Sequence, residues 1–240
     1  MRDLLLIPGL LNNAALFSGQ VNELSNYCNF TIADHTKFET IAQIAEDILE
    51  NQNAPEHFVL GGLSMGGYIA MEILRQAPER VRGLILMNTS ARKDTPEQTE
   101  RRKSFIKVTE TGRFRGVTHH LLPNLVHEQF VNDPLVSNVI FDMTQEVGRE
   151  GFIRQQRAII NRIDSRNSLK RVNVPACVIV GDDDKLTPPD RAREMAQLLP
   201  SAELHIIAKC GHLSALEHPG EVSEIIATFM MKCRNLYQVP

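Results

Sequence analysis

Residues 60–71 read LGGLSMGGYIAM and place one serine, Ser64, among four glycines between two apolar runs. Residues 62–66, GLSMG, match the pattern G-x-S-x-G between a short apolar run and a helical pattern. A serine on a sharp strand-to-helix turn exposes its Oγ, and small flanking residues let the two backbones pass close together. The stretch therefore predicts a nucleophilic serine, with a plain glycine-rich turn as the alternative.

Two phosphate-binding loops also use closely spaced glycines, and the spacing here excludes both. A dinucleotide fingerprint needs a G-x-G, but no two glycines within residues 61–67 stand two positions apart. Gly62 and Gly67 have the separation of a P-loop, but Tyr68 follows where the P-loop needs Lys. Nucleophilic catalysis therefore explains the stretch better than phosphate binding.

Six short apolar runs, bounded by turn residues, alternate with helical patterns. The runs do not alternate polar and apolar residues, which is typical of parallel strands buried on both faces. Strand–helix alternation predicts a doubly wound α/β fold with a mostly parallel sheet of about six strands. The apolar runs are residues 4–7, 30–33, 58–62, 83–87, 176–180 and 204–207, and the helical patterns include 40–52, 69–77 and 222–230.

The alternation stops between Ala91 and Lys170, where helical patterns occur without a convincing strand. A helical insertion between two parallel strands must sit above the sheet, at its strand ends. We therefore predict an α/β core over residues 1–90 and 171–240, with a helical cap over residues 91–170 inserted before the acid-bearing strand.

A serine hydroxyl needs a general base, and the chain offers eight histidines. His212, in AKCGHLSALEHP, follows the last apolar run on a glycine turn that can aim the imidazole back over the sheet. An acid that orients the imidazole should come from another strand end, and VIVGDDDKLTPP offers Asp182, Asp183 and Asp184. Three clustered carboxylates also suit Mg²⁺, although no phosphate-binding loop accompanies them.

Four stretches resemble the α/β-hydrolase fold family, in particular its small serine hydrolases with a helical lid. The order serine, aspartate, histidine along the chain matches that family. The resemblance implies that Asp184 is the acid, because the family's acid usually stands three residues after the glycine that ends its strand. The implied triad is then Ser64, Asp184 and His212. The resemblance is carried by LLLIPGLLNNAALF, LGGLSMGGYIAM, PACVIVGDDDKLTPP and AKCGHLSALEHP.

Acyl transfer needs two backbone N–H groups directed at the developing oxyanion. Met65, directly after the serine, is expected to supply one of them. By the same resemblance, the second donor follows a His-Gly pair after the first core strand. Here the pair reads Pro8-Gly9, so the expected donor is Leu10. Proline departs from the family pattern but leaves the backbone donor in place.

The resemblance implies a carboxylesterase-like enzyme that cleaves a small ester, lactone or thioester through an acyl-enzyme. Related members cleave C–C bonds or enol-lactones of anionic metabolites, and here Arg101, Arg102 and Arg113 are the candidate cationic residues. A ligand receptor on a hydrolase fold is the non-enzymatic alternative. Substrate should bind between cap and sheet, and the candidate lining residues are Leu10, Leu11, Met65, Phe105, Phe114 and Leu186.

The composition restricts the partners of the 240-residue chain. A net charge of −3 provides no basic field for nucleic acid, and no apolar run approaches the ~18 residues of a membrane span. Four cysteines without close pairs or zinc spacing favour a reduced, cytoplasmic protein. The sequence holds no cofactor fingerprint, so we expect a small-molecule substrate, no cofactor and no metal. The oligomeric state stays open.

Overall fold

In the computed structural model, which describes residues 2–112 and 114–236, six strands form one sheet. The strands are β1 (Arg2–Ile7), β2 (Cys28–Ile32), β3 (Phe58–Leu63), β4 (Val81–Met87), β5 (Ala176–Gly181) and β6 (Ala202–Ile207). Their order in the sheet is β2-β1-β3-β4-β5-β6, and every neighbouring pair is parallel. The predicted doubly wound parallel sheet is confirmed, and each strand lies within about two residues of its predicted apolar run.

Helices cover both faces of this sheet. They are α1 (Ser18–Leu24), α2 (Ile41–Asn51), α3 (Met65–Gln76), α4 (Pro96–Thr111), α5 (Pro134–Ile160), α6 (Arg166–Leu169), α7 (Pro189–Leu198), α8 (Ser214–Glu217) and α9 (Pro219–Leu236). Apolar residues of α2, α3 and α7 share one core with Leu5 of β1, whereas those of α1 and α9 share a second core with Leu4. Successive strand residues point to opposite faces, so this two-sided burial explains the uninterrupted apolar runs.

The segment between β4 and β5 is built from helices. Within its described residues, 91–112 and 114–170, no strand occurs. The Thr95 side chain accepts the Gln98 N–H and the Gln98 side chain accepts the Thr95 N–H, a capping box that fixes the start of α4. Helix α5 is interrupted at Gly148, whose φ of 68° lies outside the helical range.

The carboxyl ends of the strands meet at one edge of the sheet. Hydrogen bonds continue from strand to strand beyond the last paired residues: the N–H of Ser64 donates to Met87, that of Asn88 to Ile179, and that of Asp182 to Ile207, at 2.8–2.9 Å. The loops after β3, β4, β5 and β6 are therefore held side by side, and a site can form from residues far apart in sequence.

The two longest helices, α5 and α9, have 27 and 18 residues. Helix α5 carries acidic and basic residues along its length, including Asp142 and Arg154. Over residues 2–112 and 114–236, no helix combines the length and apolar character needed to cross a membrane.

Candidate active site

Ser64 stands in the turn between β3 and α3, at the carboxyl edge of the sheet. Its φ of 57° and ψ of −114° form a strained conformation for a residue with a side chain. Its N–H donates to the Met87 carbonyl at 2.9 Å, and its own carbonyl accepts the Thr89 hydroxyl at 2.7 Å. These bonds hold the turn, and the N-terminus of α3 favours negative charge beside it.

Glycines around the serine let three backbones pass close together. A Cβ on Gly62 would collide with the carbonyl of Gly66, and a Cβ on Gly66 would collide with the carbonyl oxygen of Ile7. A Cβ on Gly67 would meet the side chain of Thr89. Backbone carbonyls held in a sheet or a helix have little room to move aside, so positions 62 and 66 require glycine.

Replacing Gly66 with alanine is expected to lower the free energy of unfolding by about 3 kcal/mol or more, because its Cβ would overlap the Ile7 carbonyl. Chemical denaturation of the purified variant measures this loss. Gly220→Ala is the matched control: the nearest atom to its Cβ is Glu23 Oε1 at 4.0 Å, and stability should change by less than about 1 kcal/mol. Equal stability of the two variants would contradict the close approach.

Three side chains from separate strand ends form a hydrogen-bonded chain. His212 follows β6, and its Nε2 lies 2.9 Å from Ser64 Oγ. Its Nδ1 donates to Asp184, which follows β5, and lies 2.9 Å from both carboxylate oxygens. This bond favours the tautomer that leaves Nε2 free to accept the serine proton. The structure thus brings together the three residues predicted from the sequence.

Asp184 is buried and surrounded by donors. The N–H groups of Leu186 and Thr187 donate to Oδ1, both at 2.9 Å. The Thr187 hydroxyl and the Asn88 amide donate to Oδ2, at 2.8 and 3.0 Å. Burial opposes ionisation, but the electrostatic effect of the adjacent His212 imidazole and these hydrogen bonds outweigh it and hold the pKa of Asp184 below its ordinary value. The group is a carboxylate at neutral pH.

The two preceding aspartates point elsewhere. Asp182 accepts the N–H of Cys210 at 3.2 Å, and Asp183 pairs with Lys185 at 3.4 Å. In the part of the chain that the structure describes, no group of three or more His, Cys, Asp or Glu side chains is placed to hold a metal ion. The three carboxylates therefore do not fit the alternative magnesium site.

Asn88 is a part of this site that the sequence reasoning missed. It directly follows β4, is fully buried and has a φ of 44°. Its Nδ2 donates to Asp184 Oδ2 and to the Gly211 carbonyl, both at 3.0 Å, and Ser214 Oγ donates to its Oδ1 at 2.5 Å. Asn88 therefore joins the acid to the loop of the base. A polar residue at the end of a buried strand was the available signal.

The two backbone N–H groups expected to bind an oxyanion lie in the turns after β1 and β3. Met65 is the first residue of α3, where an N–H has no acceptor inside the helix. Leu10 lies in the turn after β1, and a Cβ on the adjacent Gly9 would be 3.3 Å from Ser64 Cβ. Among the described residues neither N–H has a protein acceptor.

Two buried side chains form hydrogen bonds to the backbone of the loop after β1. Gln155 of α5 accepts the N–H of Leu11 at 3.1 Å, and His35 Nε2 hydrogen-bonds the Gly9 carbonyl at 2.9 Å. Leu11 has a φ of 60°, so the loop is bent sharply there. Burial lowers the pKa of His35 to about 4, against the opposing effects of the Gly9 carbonyl and the charge of Asp34. The imidazole is neutral at neutral pH.

The buried neutral state of His35 predicts a pH-dependent stability. Between about pH 6.5 and pH 4 the unfolded chain binds a proton on this residue and the folded chain does not, so stability falls as pH falls. From pH 7 to 4.5 the loss due to His35 should be about 2–3 kcal/mol. Urea unfolding at both pH values should show a smaller loss in His35→Gln. In the control His120→Gln, which changes an exposed histidine, the free energy of unfolding should fall between pH 7 and 4.5 by as much as in the wild type. Equal decreases in the two variants would show that His35 is not the source of the pH dependence.

The remaining candidate lining residues lie at different depths. Leu11 is buried, and Leu186 is 44% exposed beside Asp184, to which its N–H donates. Phe114 is half-buried, and its ring centroid lies 5.7 Å from that of Phe152 in α5. The backbone hydrogen bond to Asp184 thus places Leu186 next to the site. Phe114 belongs to the helical segment between β4 and β5.

Two other candidates lie on the outer side of α4. Phe105 is 47% exposed, and the guanidinium of the exposed Arg101 lies 6.0 Å from its ring centroid. Among the hydrogen bonds and ring contacts of the described residues, none joins either side chain to Ser64. Arg113 lies outside the described residues.

Arg102, in contrast, turns into the protein. Its Nε donates to Asp94 at 2.7 Å, and its Nη1 donates to Gln156 of α5 at 2.9 Å. Arg162 pairs with the same Asp94 carboxylate at 2.8 Å. Two guanidinium groups therefore share one buried carboxylate.

A model of the family described as alpha/beta hydrolase fold matches residues 4–219. The chain is 24% identical over 212 residues to a 2-hydroxy-6-oxononadienedioate/2-hydroxy-6-oxononatrienedioate hydrolase of a Pseudomonas species, covering 85% of this chain and 73% of that protein. It resembles the structure of a thermophilic esterase from Thermogutta terrifontis, with a TM-score of 0.88, 28% identity and coverage of 97% and 90%. The enol-lactonase from Burkholderia xenovorans LB400 has a TM-score of 0.85 at 24% identity, with coverage of 96% and 91%.

Proposed function

Because this chain belongs to the alpha/beta hydrolase fold family and is a hydrolase, we propose that it cleaves small carboxylic esters through an acyl-enzyme. The observation that carries the proposal is the pair of 2.9 Å contacts from His212 to Ser64 Oγ and to the Asp184 carboxylate. The similarity to an esterase at 28% identity agrees with it.

In the proposed reaction, Ser64 Oγ attacks the ester carbonyl while His212 Nε2 takes its proton. Asp184 holds the imidazole in the required tautomer and stabilises the imidazolium that forms. The tetrahedral intermediate collapses when His212 returns that proton to the alcohol oxygen, which leaves. Water then attacks the acyl-enzyme, with His212 again as the base, and releases the acid and free Ser64.

The N–H groups of Leu10 and Met65 are the proposed donors to the oxyanion. Their support is their position in the turns on either side of the serine and the absence of a protein acceptor for either within the described residues. Such donors act where negative charge develops, and removing one typically costs about 10²–10³-fold in rate.

We propose that residues 91–170 form the cap over this site, on the core of residues 1–90 and 171–240. The hydrogen bond from the Leu11 N–H to Gln155 supports this placement, because it joins the helical segment to the loop beside Ser64. The proposed substrate space has an apolar lining from residues of both parts, namely Leu10, Leu11, Met65, Phe114 and Leu186; Phe105, on the outer side of α4, is left out of it.

A second candidate function is hydrolysis of a C–C bond or an enol-lactone in a small anionic metabolite. Its support is the inward position of Arg102, which with Arg162 shares a single carboxylate, Asp94. A side chain of this kind supplies positive charge to a carboxylate of the substrate. The named activity of the Pseudomonas relative agrees with this candidate.

A substrate panel tests both candidates: p-nitrophenyl acetate and butyrate, an enol-lactone carrying a carboxylate, and a 2-hydroxy-6-oxo-dienoate. We expect hydrolysis of the neutral esters with kcat/KM unchanged within about 3-fold in Arg102→Gln, since a neutral ligand carries no net charge for the guanidinium to attract. A selective loss toward the carboxylate substrates in this variant, absent in Arg101→Gln, favours the second candidate. A protein that hydrolyses no panel member and takes no fluorophosphonate label refutes both.

A further inference from the structure

Glu217 is a buried carboxylate that the proposed chemistry does not use. It ends the short helix α8 and is 4% exposed. Three backbone N–H groups donate to it: those of His127 and Gly211 to Oε2, at 2.7 and 2.8 Å, and that of Leu213 to Oε1, at 2.9 Å. Among the carboxylates of residues 2–112 and 114–236, no other accepts three backbone N–H donors; Asp184 accepts two.

Two of these three donors flank the proposed base, His212, in sequence. Gly211 and Leu213 are the residues immediately before and after His212, so one side chain fixes the backbone on both sides of the imidazole. The N–H of His212 itself donates to the Leu125 carbonyl at 2.9 Å. Leu125 and His127 belong to the segment between β4 and β5, so the base is attached to that segment at two points.

A carboxylate suits this position because it accepts hydrogen bonds and donates none. Three N–H groups converge on its two oxygens, and a neutral amide would turn an NH₂ group toward at least one of them. Burial disfavours the ionised form and raises the pKa of Glu217 in spite of the three donors. An apolar residue at this position would leave the three N–H groups without this acceptor, and buried unpaired donors are costly.

We propose that Glu217 is a positioning residue for the base: it fixes the backbone around His212 and ties it to residues 125–127, so that Nε2 stays within hydrogen-bond distance of Ser64. This inference rests on the proposed function. The imidazole meets Ser64 and Asp184 at 2.9 Å, and both bonds depend on the path of the backbone from Gly211 to Leu213. A misplacement of about 1 Å at such a group costs about 10²-fold in rate.

The test uses Glu217→Gln with p-nitrophenyl butyrate as substrate. We expect kcat to fall about 10²-fold while KM stays within about 3-fold, because substrate contacts are unchanged and the base is displaced. The downfield proton NMR signal of the His212 Nδ1–H should weaken or broaden in the variant. Glu224→Gln, which removes the same charge from an exposed position of α9, should keep the wild-type kcat and the wild-type signal.

The outcomes separate this proposal from the proposed function. Wild-type kcat and an unchanged Nδ1–H signal in folded Glu217→Gln would overturn the positioning role and leave the hydrolase mechanism standing. Wild-type protein that takes no fluorophosphonate label and hydrolyses no ester overturns both. If Glu217→Gln does not fold, Glu217→Asp replaces it. This variant keeps the charge on a side chain one methylene shorter, and an unchanged kcat in it would equally refute the role.

Discussion

Replacing Ser64 with alanine is expected to reduce kcat for p-nitrophenyl butyrate by about 10⁴-fold or more, because no other group can form the acyl-enzyme. His212 Nε2 would then face a methyl group in place of the hydroxyl that lies 2.9 Å away. The variant should also lose fluorophosphonate labelling completely. Its stability should stay near that of the wild type, because the turn is held through the N–H of residue 64, which donates to the Met87 carbonyl, and through its carbonyl, which accepts the Thr89 hydroxyl; alanine preserves both.

Ser104→Ala is the matched control for this experiment. Ser104 lies exposed on α4, and its hydroxyl donates to the Glu100 carbonyl of the same helix. It should keep wild-type kcat and wild-type labelling. Turnover in Ser64→Ala above about 1% of the wild-type rate, in protein that melts at the wild-type temperature, would exclude Ser64 as the nucleophile.

Replacing Asp184 with asparagine is expected to lower kcat by about 10⁴-fold, because the amide favours the wrong tautomer of His212. An amide NH₂ would face Nδ1, so the ring would carry its proton on Nε2 and lose the lone pair that accepts from Ser64. Part of the site would also rearrange, since the side chain accepts the Thr187 N–H and the Asn88 amide. Steady-state kinetics at pH 7 to 9 measure the loss.

Asp183→Asn removes the neighbouring carboxylate and serves as the control. Asp183 pairs with Lys185 at 3.4 Å near the surface, and an exposed pair of this kind contributes little to stability. This variant should retain kcat within about 2-fold. If Asp183→Asn lost activity as severely as Asp184→Asn, the acid would not be assigned to position 184.

Local sequence was sufficient to predict the sheet. The runs at 4–7 and 176–180 are apolar without alternation, and both became inner strands of a parallel sheet buried on both faces. The glycines at 62 and 66 also had a local cause, since the strand-to-helix turn leaves no room for a Cβ. Predictions of this kind succeed because hydrophobic periodicity and turn chemistry depend on residues close in sequence.

The supporting residues of the site were beyond such reasoning. Gln155 lies 144 positions from Leu11, and Asn88 lies 96 positions from Asp184. Gln155 is one polar residue among many in α5, and the place of Asn88 at the end of a strand does not reveal which side chain it meets. His35 likewise gave no signal to distinguish it from a packed histidine, and its bond to Gly9 exists only because β1 and β2 lie side by side.

The sequence by itself determined the strands, the glycine turn of Ser64 and the glycine turn of His212, because each is encoded by the apolar and turn-forming residues next to it. It did not decide which of three aspartates is the acid, and the family resemblance selected Asp184. Only the tertiary structure decided that Asp184 alone of the three meets His212, and that Glu217 holds the backbone around that base. The physical reason is that hydrogen bonds between loops depend on the order and register of the strands that carry them, which no local pattern contains.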